Sequence, residues 1–203
     1  MRKSVFFIDG YNLYHSLKNL NNPKYKWLDI KALVSRLTKN RSNEEIGTIL
    51  YFTAKSPWSI SKRTKHETYI KALIHSGIET ILGKFQKVKR KCRKCHKTYT
   101  TYEEKYTDVN IGVQMYREAS KKKHDKFYLI SADSDLIPAI NAIKKDFPEI
   151  KIGVVLPLGH KSYDLINNCD FVIYIKKADY NKSLFPEKIS LPNEIIECPV
   201  DWK

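Results

Sequence analysis

Two groups of acidic residues directly follow short apolar segments of this chain. Asp133 and Asp135 come after the apolar and aromatic segment 126–130, and Asp9 ends the similar segment 5–8. Apolar segments of this length that end in turn-forming residues are typical of buried strands. Ligands of open α/β sheets bind outside the carboxyl ends of the strands, so these acids lie where a binding site is expected. The simpler alternative is that Asp133 only caps the helix that follows it.

A further acid, Asp108, lies in the segment 103–110, which is predicted to open a helix that ends near residue 121. Glu104 and Asp108 would share one face of that helix, since they are four residues apart. The alternative for Asp108 is an acid that the helix dipole alone stabilises.

Carboxylates that meet at one edge of a sheet need a neutralising partner. Two of them about 4 Å apart repel by roughly 4 kcal/mol at an effective dielectric constant of 20. Such a cluster persists only with bound protons or a bound cation, and all-oxygen ligands favour Mg²⁺ or Mn²⁺ over zinc. If the strands are neighbours in a parallel sheet, a divalent-metal site is predicted at Asp9, Asp108, Asp133 and Asp135.

Three segments around these acids carry a resemblance to a known family. The segments FFIDGYN, EEKYTDVNI and LISADSDLIPAI occur in this order. They resemble the NYN branch of the PIN-like ribonucleases, in particular its LabA-like bacterial group, over about residues 3–175. The resemblance implies a Rossmann-like α/β fold and metal-dependent hydrolysis of RNA. The site residues that it implies are Asp9, Asn12, Asp108, Asp133 and Asp135.

The resemblance also implies a division of roles. Asp9, Asp108 and Asp133 would hold the metal, Asp135 would complete the site, and Asn12 would orient a phosphate or an attacking water. The chain departs from the family pattern at Gln114, where an acid is common. This departure leaves open the number of metals, and it favours the alternative of an RNA-binding adaptor with a vestigial acidic site.

A phosphatase is a third interpretation of the acid after the first strand. Haloacid-dehalogenase enzymes carry a second Asp two residues after the first, where this chain has Tyr11. The phosphatase interpretation is therefore the weakest of the three.

The elements that must position these acids alternate between strands and helices. Such alternation predicts an α/β fold with a mostly parallel sheet, covered by helices on both faces. Together with the resemblance it predicts a Rossmann-like, PIN-like three-layer domain over residues 1–175. The basic segment at about 84–103 is predicted to form an inserted hairpin, and residues 176–203 a tail packed on the domain.

The composition points to a polyanionic partner. The 203 residues contain 37 Lys and Arg against 22 Asp and Glu, for a net charge of +15. A balance of this size favours nucleic acid, although lysine-rich composition can also reflect an AT-rich genome. No apolar run approaches the length of a membrane span, so no membrane partner is expected. The four cysteines do not form a disulfide framework, which favours the reducing cytoplasm.

Three places along the chain have the composition of an RNA contact. Trp58 lies among lysines, a combination of ring and cations that suits single strands. The alternative is a Trp that packs on a helix start, with solvated lysines around it. Lys161 and Ser162 are predicted to bind a phosphate at a helix N-terminus. The inserted segment is the most basic, and a solvated loop is its alternative; its predicted RNA contacts are Lys89, Arg90, Lys91, Arg93 and Lys94.

The inserted segment also contains Cys92 and Cys95, which have the spacing of the first half of a zinc site. A closed structural site needs four ligands. His96, Cys169 and Cys198 lack the spacing of a second pair, so we expect no complete zinc site.

Overall fold

The centre of the fold is a six-stranded parallel sheet, seen in a computed structural model that describes residues 2–39 and 44–203. Strands are numbered along the chain. Those of the central sheet are β1 (Arg2–Asp9), β2 (Glu44–Thr53), β3 (Glu79–Leu82), β6 (Lys126–Ile130), β7 (Lys151–Leu156) and β8 (Phe171–Tyr174). They lie side by side in the order β3-β2-β1-β6-β7-β8. The predicted α/β fold class is confirmed.

Helices cover both faces of this sheet. They are α1 (Gly10–Lys18), α2 (Ile30–Thr38), α3 (Ile60–His75), α4 (Thr107–Ser120), α5 (Ile137–Asp146), α6 (Tyr163–Asn168) and α7 (Lys177–Asn181). The first three pack on one face, and α4, α5 and α6 pack on the other. None of the helices within the described ranges is long and apolar enough to cross a membrane.

The central strand β1 shows why its sequence is apolar at successive positions. Phe6 and Ile8 belong to the core on one face, whereas Val5 and Phe7 belong to the core on the other. All four side chains are fully buried. Because helices cover both faces, the usual alternation of apolar and polar residues is absent.

The order in which strands are added to the sheet reverses at β1, and the candidate site lies at this reversal. From β1 the sheet continues to β2 on one side and to β6 on the other. Ile8 pairs with Ile130, so the carboxyl ends of β1 and β6 lie side by side. Such a reversal opens a crevice at the carboxyl edge of the sheet.

A separate two-stranded hairpin follows β3. Its strands are β4 (Lys84–Lys91) and β5 (Thr98–Lys105), which pair in continuous antiparallel register. The predicted helix start at residue 103 is wrong, because Glu103 and Glu104 pair with Gln86 and Phe85 at the end of β5.

Tyr106 separates this strand from the helix that follows. Its φ of +79° breaks the extended backbone, and α4 begins at the next residue. Asp108 is therefore in the first turn of α4, whereas Glu104 is in a strand.

The residues after 176 form α7 and a second hairpin, β9 (Lys188–Ser190) with β10 (Ile195–Glu197). Tyr180 of α7 is fully buried in the core beside α1. The indole N–H of Trp27 donates a hydrogen bond to the Pro186 carbonyl oxygen at 2.8 Å. This segment thus supplies part of the core on one face of the sheet.

Candidate active site

Asp9 occupies the turn from β1 into α1, where both of its oxygens accept hydrogen bonds. Oδ1 accepts from the backbone N–H of Asn12 at 2.9 Å, which caps the helix. Oδ2 accepts from the Ser131 hydroxyl at 2.9 Å. The side chain is 4% exposed, so its carboxylate is held in one position.

Gly10 lets α1 begin directly against β2. A Cβ at this position would lie 2.5 Å from the Phe52 carbonyl oxygen. A glycine is therefore required by the close approach of the two elements, and this approach fixes Asp9 at the edge of the sheet.

Asp133 occupies the corresponding turn after β6. Its Oδ1 accepts from the backbone N–H of Asp135 at 3.0 Å, and its own N–H donates to the Ser131 hydroxyl at 3.0 Å. Asp133 thus caps the helical turn that follows it. Ser131 links it to Asp9, and this serine was absent from the predicted site.

Asp108 reaches the same point from α4. One carboxylate oxygen from each of Asp9, Asp108 and Asp133 lies within 4.8 Å of the other two. The structure therefore brings together three of the four predicted metal ligands. Asp135 is exposed and outside this group, although its charge raises the pKa of Asp108.

The electrostatics of the cluster favour a bound proton or cation. Burial raises the pKa of Asp9 from 3.8 to about 6, and the charges of Asp108 and Asp133 add to the shift. The hydrogen bonds from Asn12 and Ser131 oppose it. Partial burial, followed by the charges of Asp133 and Asp135, also raises the pKa of Asp108.

The three carboxylates fit a hard divalent ion. Oxygen ligands of Mg²⁺ lie about 2.1 Å from the ion, so two of them can be up to about 4.2 Å apart. The three oxygens lie within 4.8 Å of one another, close to this limit. The ligand atoms are all oxygens, which disfavours zinc.

Glu104 is an additional acid beside the cluster that the predicted site lacked. It is half-buried, and its carboxylate accepts a hydrogen bond from the Thr107 hydroxyl. Burial raises its pKa, and the charges of Asp9 and Asp108 contribute. The alternation of side chains along a strand could have identified it, had the segment been predicted as a strand.

Asn12 joins the two turns of the site. Its side-chain oxygen accepts from the backbone N–H of Ala132 at 3.2 Å, while its own N–H is bonded to Asp9. Its Nδ2 group has no hydrogen-bond partner among the residues that the structure describes. Asn12 therefore holds the backbone next to Asp133. Its Nδ2 group is a neutral donor that can bind a further acceptor.

An aromatic cleft of about 590 Å³ adjoins the cluster at Gly10. It lies between α1, α3, the loop after β2 and the base of the β4–β5 hairpin. Trp58 connects two of these walls, since its ring lies 4.8 Å from that of Phe85 and 4.9 Å from that of Tyr102. Almost half of its surface remains exposed.

The hairpin divides its cations between two faces. Side chains alternate along a strand, and directly paired residues point to the same side. Lys87, Lys89 and Lys91 therefore share the face of Phe85, Tyr102 and Glu104, which adjoins the cleft and the cluster. We call these three residues the lysine row.

The other predicted RNA contacts lie elsewhere. Arg90 is on the opposite face, where it forms an ion pair with Glu103, and Arg93 and Lys94 are exposed in the turn of the hairpin. Ser162 caps the short helix α6, with its hydroxyl accepting from the Leu165 N–H at 3.5 Å, and Lys161 beside it is exposed.

Residues 3–176 match the family model described as NYN domain. The chain belongs to the NYN domain family. NYN domains are members of the PIN-like ribonuclease family, so the predicted recognition is confirmed. The match includes every residue of the carboxylate cluster and the whole β4–β5 hairpin.

A curated relative of this NYN chain is 6-hydroxy-3-succinoylpyridine 3-monooxygenase HspA of Pseudomonas putida (strain DSM 28022 / S16). The two are 28% identical over 190 residues, covering 76% of this chain and 59% of HspA. The chain thus spans less than two thirds of that relative.

A similar solved structure is that of VPA0982, a protein of unknown function from Vibrio parahaemolyticus RIMD 2210633. It has a TM-score of 0.57 and 18% identity, with 91% of this chain and 96% of that chain covered. This likeness concerns the fold, and it agrees with the predicted three-layer architecture.

Proposed function

We propose that this NYN chain is a metal-dependent endoribonuclease that hydrolyses RNA phosphodiester bonds. The observation that carries the proposal is the convergence of the Asp9, Asp108 and Asp133 carboxylates at the carboxyl edge of the sheet. A Mg²⁺ or Mn²⁺ ion bound there would polarise the scissile phosphate and make a bound water acidic enough to attack it.

The protein's own groups would position this chemistry. Ser131 and the N–H of Asn12 hold Asp9 in place, so the buried carboxylate needs no reorientation when a metal binds. The Nδ2 of Asn12 would donate a hydrogen bond to a phosphate oxygen without adding charge. Asp135 and Glu104 would adjust the charge around the three ligands.

We propose RNA as the partner because cations and rings adjoin the cluster on one side. The lysine row would neutralise backbone phosphates, as basic side chains do in other nucleic-acid complexes. The exposed face of Trp58 would stack a base of a single strand. Arg93, Lys94 and Lys161 remain candidate phosphate contacts, whereas Arg90 and Ser162 already have partners within the protein.

The first prediction concerns Asp133→Asn. The variant keeps a side chain that can cap the following turn but removes one ligand charge, so it should retain the fold. We expect cleavage of labelled RNA in Mn²⁺ or Mg²⁺ to fall by at least about 10²-fold, the usual cost of losing a charge-stabilising group in a site. RNA affinity should stay within about twofold, since this carboxylate makes no attractive contact with phosphate.

Asp164→Asn is the matched control, because Asp164 is an exposed acid in α6 outside the cluster. Wild type should be inactive in EDTA, and its products should carry 5′-phosphates. The proposal would be contradicted if Asp133→Asn cleaved RNA at the wild-type rate, or if EDTA left the cleavage rate of wild type unchanged.

The same assay distinguishes the alternatives. An adaptor with a vestigial site would bind RNA with wild-type affinity yet cleave nothing in either metal. A phosphatase would hydrolyse a small aryl phosphate in preference to RNA. Matched DNA of the same sequence tests the choice of nucleic acid.

A second candidate function comes from the name of HspA. The aromatic cleft is large enough for a substituted pyridine and adjoins the cluster, so we propose an oxygenase activity on such a ring as the second candidate. Oxygen uptake with a hydroxypyridine and a supplied reductant would support it. Metal-dependent RNA cleavage without oxygen would favour the ribonuclease.

We further propose that the chain acts in a reducing compartment such as the cytoplasm. All four cysteines are free thiols, and two of them lie at the exposed end of the β4–β5 hairpin. Thiols in such positions persist where the surroundings keep them reduced.

A further inference from the structure

The turn of the β4–β5 hairpin brings Cys92 and Cys95 together. The N–H of Cys92 donates to the Lys97 carbonyl oxygen at 2.9 Å, and the N–H of His96 donates to the Cys92 carbonyl oxygen at 2.9 Å. His96 has a φ of +56°, which closes the turn. Residues 92–97 form the hairpin tip.

Donors within this turn act on Cys92. The pKa of its thiol is lowered by the backbone N–H groups of Cys95 and Lys94 and by the Cys95 thiol. These donors would stabilise a thiolate. The spacing of the two cysteines and the closed turn that carries them give the arrangement of half a tetrahedral four-cysteine zinc site.

The chain does not complete this half site by itself. Among the described residues, the only three or more Cys, His, Asp or Glu side chains with converging ligand atoms are Asp9, Asp108 and Asp133. His96 therefore does not converge with the two sulfurs. Cys169 and Cys198 belong to the cores of the domain, where burial raises the pKa of each thiol.

The hairpin tip is accessible to a second molecule. β4 and β5 form a sheet of their own within the described residues. The base of the hairpin is fixed by Trp58, whereas the residues of the tip other than Cys92 are exposed. A two-stranded hairpin alone is only marginally stable, so the tip lacks a core to order it.

We propose that two copies of this chain bind one zinc ion between their hairpin tips, with Cys92 and Cys95 of each copy as its four ligands. A two-fold arrangement presents the same pair from both sides, and the site is incomplete without the second copy. Each thiol releases its proton on binding. The inference is independent of the nuclease proposal, since it uses none of the carboxylates.

The charges around the tip predict an unusual dependence on salt. The zinc centre with four thiolates carries two negative charges, whereas Arg93, Lys94 and Lys97 of the two copies carry six positive charges. The remaining positive charge makes the two tips repel each other at low ionic strength. Salt screens this repulsion and should strengthen the dimer, whereas it weakens binding to RNA.

The test uses the reduced, chelator-treated full chain in excess Mg²⁺, so that the carboxylate cluster does not compete for zinc. We expect zinc titration to convert monomer into a dimer that holds one zinc per two chains, as measured by native mass spectrometry and light scattering. Co²⁺ in place of zinc should give the intense visible bands and thiolate charge-transfer absorption of a tetrahedral sulfur site, which carboxylates do not produce.

Cys92→Ser should abolish the dimer and lower zinc affinity by more than about 100-fold, because it removes two of the four ligands from each site. Cys169→Ala is the matched control, since it removes a thiol from the core of the domain and should leave dimerisation unchanged. Circular dichroism would establish that both variants fold.

Several outcomes would overturn the inference. They are one zinc per monomer, no zinc above the level of Cys92→Ser, a dimer that persists without metal, and a cobalt spectrum without thiolate absorption. Formation of a Cys92–Cys95 disulfide in preference to metal binding in reducing buffer would equally reject it.

Discussion

At the residue scale, Asp9 makes the free energy of unfolding depend on pH, because it is a buried carboxylate with two other acids close to it. The pKa of Asp9 is raised from 3.8 to about 6, first by burial and then by its acidic neighbours. Between pH 3.8 and about 6, Asp9 therefore keeps its proton in the folded state but has lost it in the unfolded state. Protonation stabilises the metal-free protein below the unfolded pKa, and this contribution disappears as the pH rises through about 6.

Asp9→Asn tests how much the ionised Asp9 carboxylate destabilises the metal-free protein. The amide keeps an oxygen for the Asn12 N–H and a polar group for Ser131, but it cannot ionise. A shift of this size corresponds to about 3 kcal/mol. In EDTA the variant should be more stable than wild type at pH 7.5, by up to that amount, and less dependent on pH between 4 and 6.

Urea denaturation at a series of pH values measures the effect, with Asp164→Asn as the control that should follow wild type. Saturating Mn²⁺ should stabilise wild type but not Asp9→Asn, because the proposed metal site needs the Asp9 carboxylate. An unchanged pH profile in the variant would show that Asp9 is not the group that titrates.

At the element scale, the hairpin contributes through one of its faces. The lysine row shares its face with Glu104, which interacts with Asp9 and Asp108 across the edge of the site. An RNA strand that reaches the carboxylates from the cleft would therefore run along this face. The cations on the other face would remain at a distance from it.

The triple variant Lys87→Ala, Lys89→Ala and Lys91→Ala should weaken binding of all RNA sequences by similar factors. Single-stranded nucleic acid releases about 0.7 counterions per neutralised phosphate, so the slope of log affinity against log salt should decrease by up to about 2. Titration of a labelled RNA at several salt concentrations gives both quantities.

The matched control removes the same charge from the opposite face, by changing Lys84, Arg90 and Lys105 to Ala. Its effect on the slope should be clearly smaller, since Arg90 and Lys105 already pair with Glu103. Equal effects of the two variants would mean that RNA does not distinguish the faces of the hairpin.

At the scale of the whole molecule, the residues beyond the family match are part of the same core. The match ends at residue 176, yet Tyr180 is fully buried and lies next to Ser16 of α1. The backbone N–H of Asp29 also donates to the Ser183 carbonyl oxygen at 2.8 Å. The helix that follows Asp9, α1, and the cap of α2 thus contact residues beyond the family match.

Tyr180→Ala should lower the free energy of unfolding by about 3–5 kcal/mol, the usual cost of deleting a buried aromatic ring. Tyr174→Ala is the control, because Tyr174 is 56% exposed and its loss should change stability by less than about 0.5 kcal/mol. Urea denaturation compares the two, and a Tyr180→Ala variant as stable as the control would show that the C-terminal segment does not support the core.

Several features of this protein were determined by local sequence. Apolar segments that end in Asp9 and Ser131-Ala132-Asp133 predicted two buried strands with acids at their carboxyl ends, and the observed sheet contains both. Capping is equally local, because α2 and α3 begin directly after Asp29 and Ser59, whose side chains accept hydrogen bonds from the backbone N–H groups of Ala32 and Lys62. These features depend on residues within one or two turns of each other, which is why pattern and capping chemistry suffice to predict them.

Only the tertiary structure decided which side chains meet. Glu104 has the spacing of a helix face with Asp108, but pairing with Phe85, almost twenty positions earlier, places it in a strand. That pairing brings Glu104 to the cluster and directs Arg90 away from the lysine row. Ser131 joins Asp9 to Asp133 only because β1 and β6 are neighbours. Such contacts depend on hydrogen bonds and burial between distant segments, and local preferences along the chain do not contain that information.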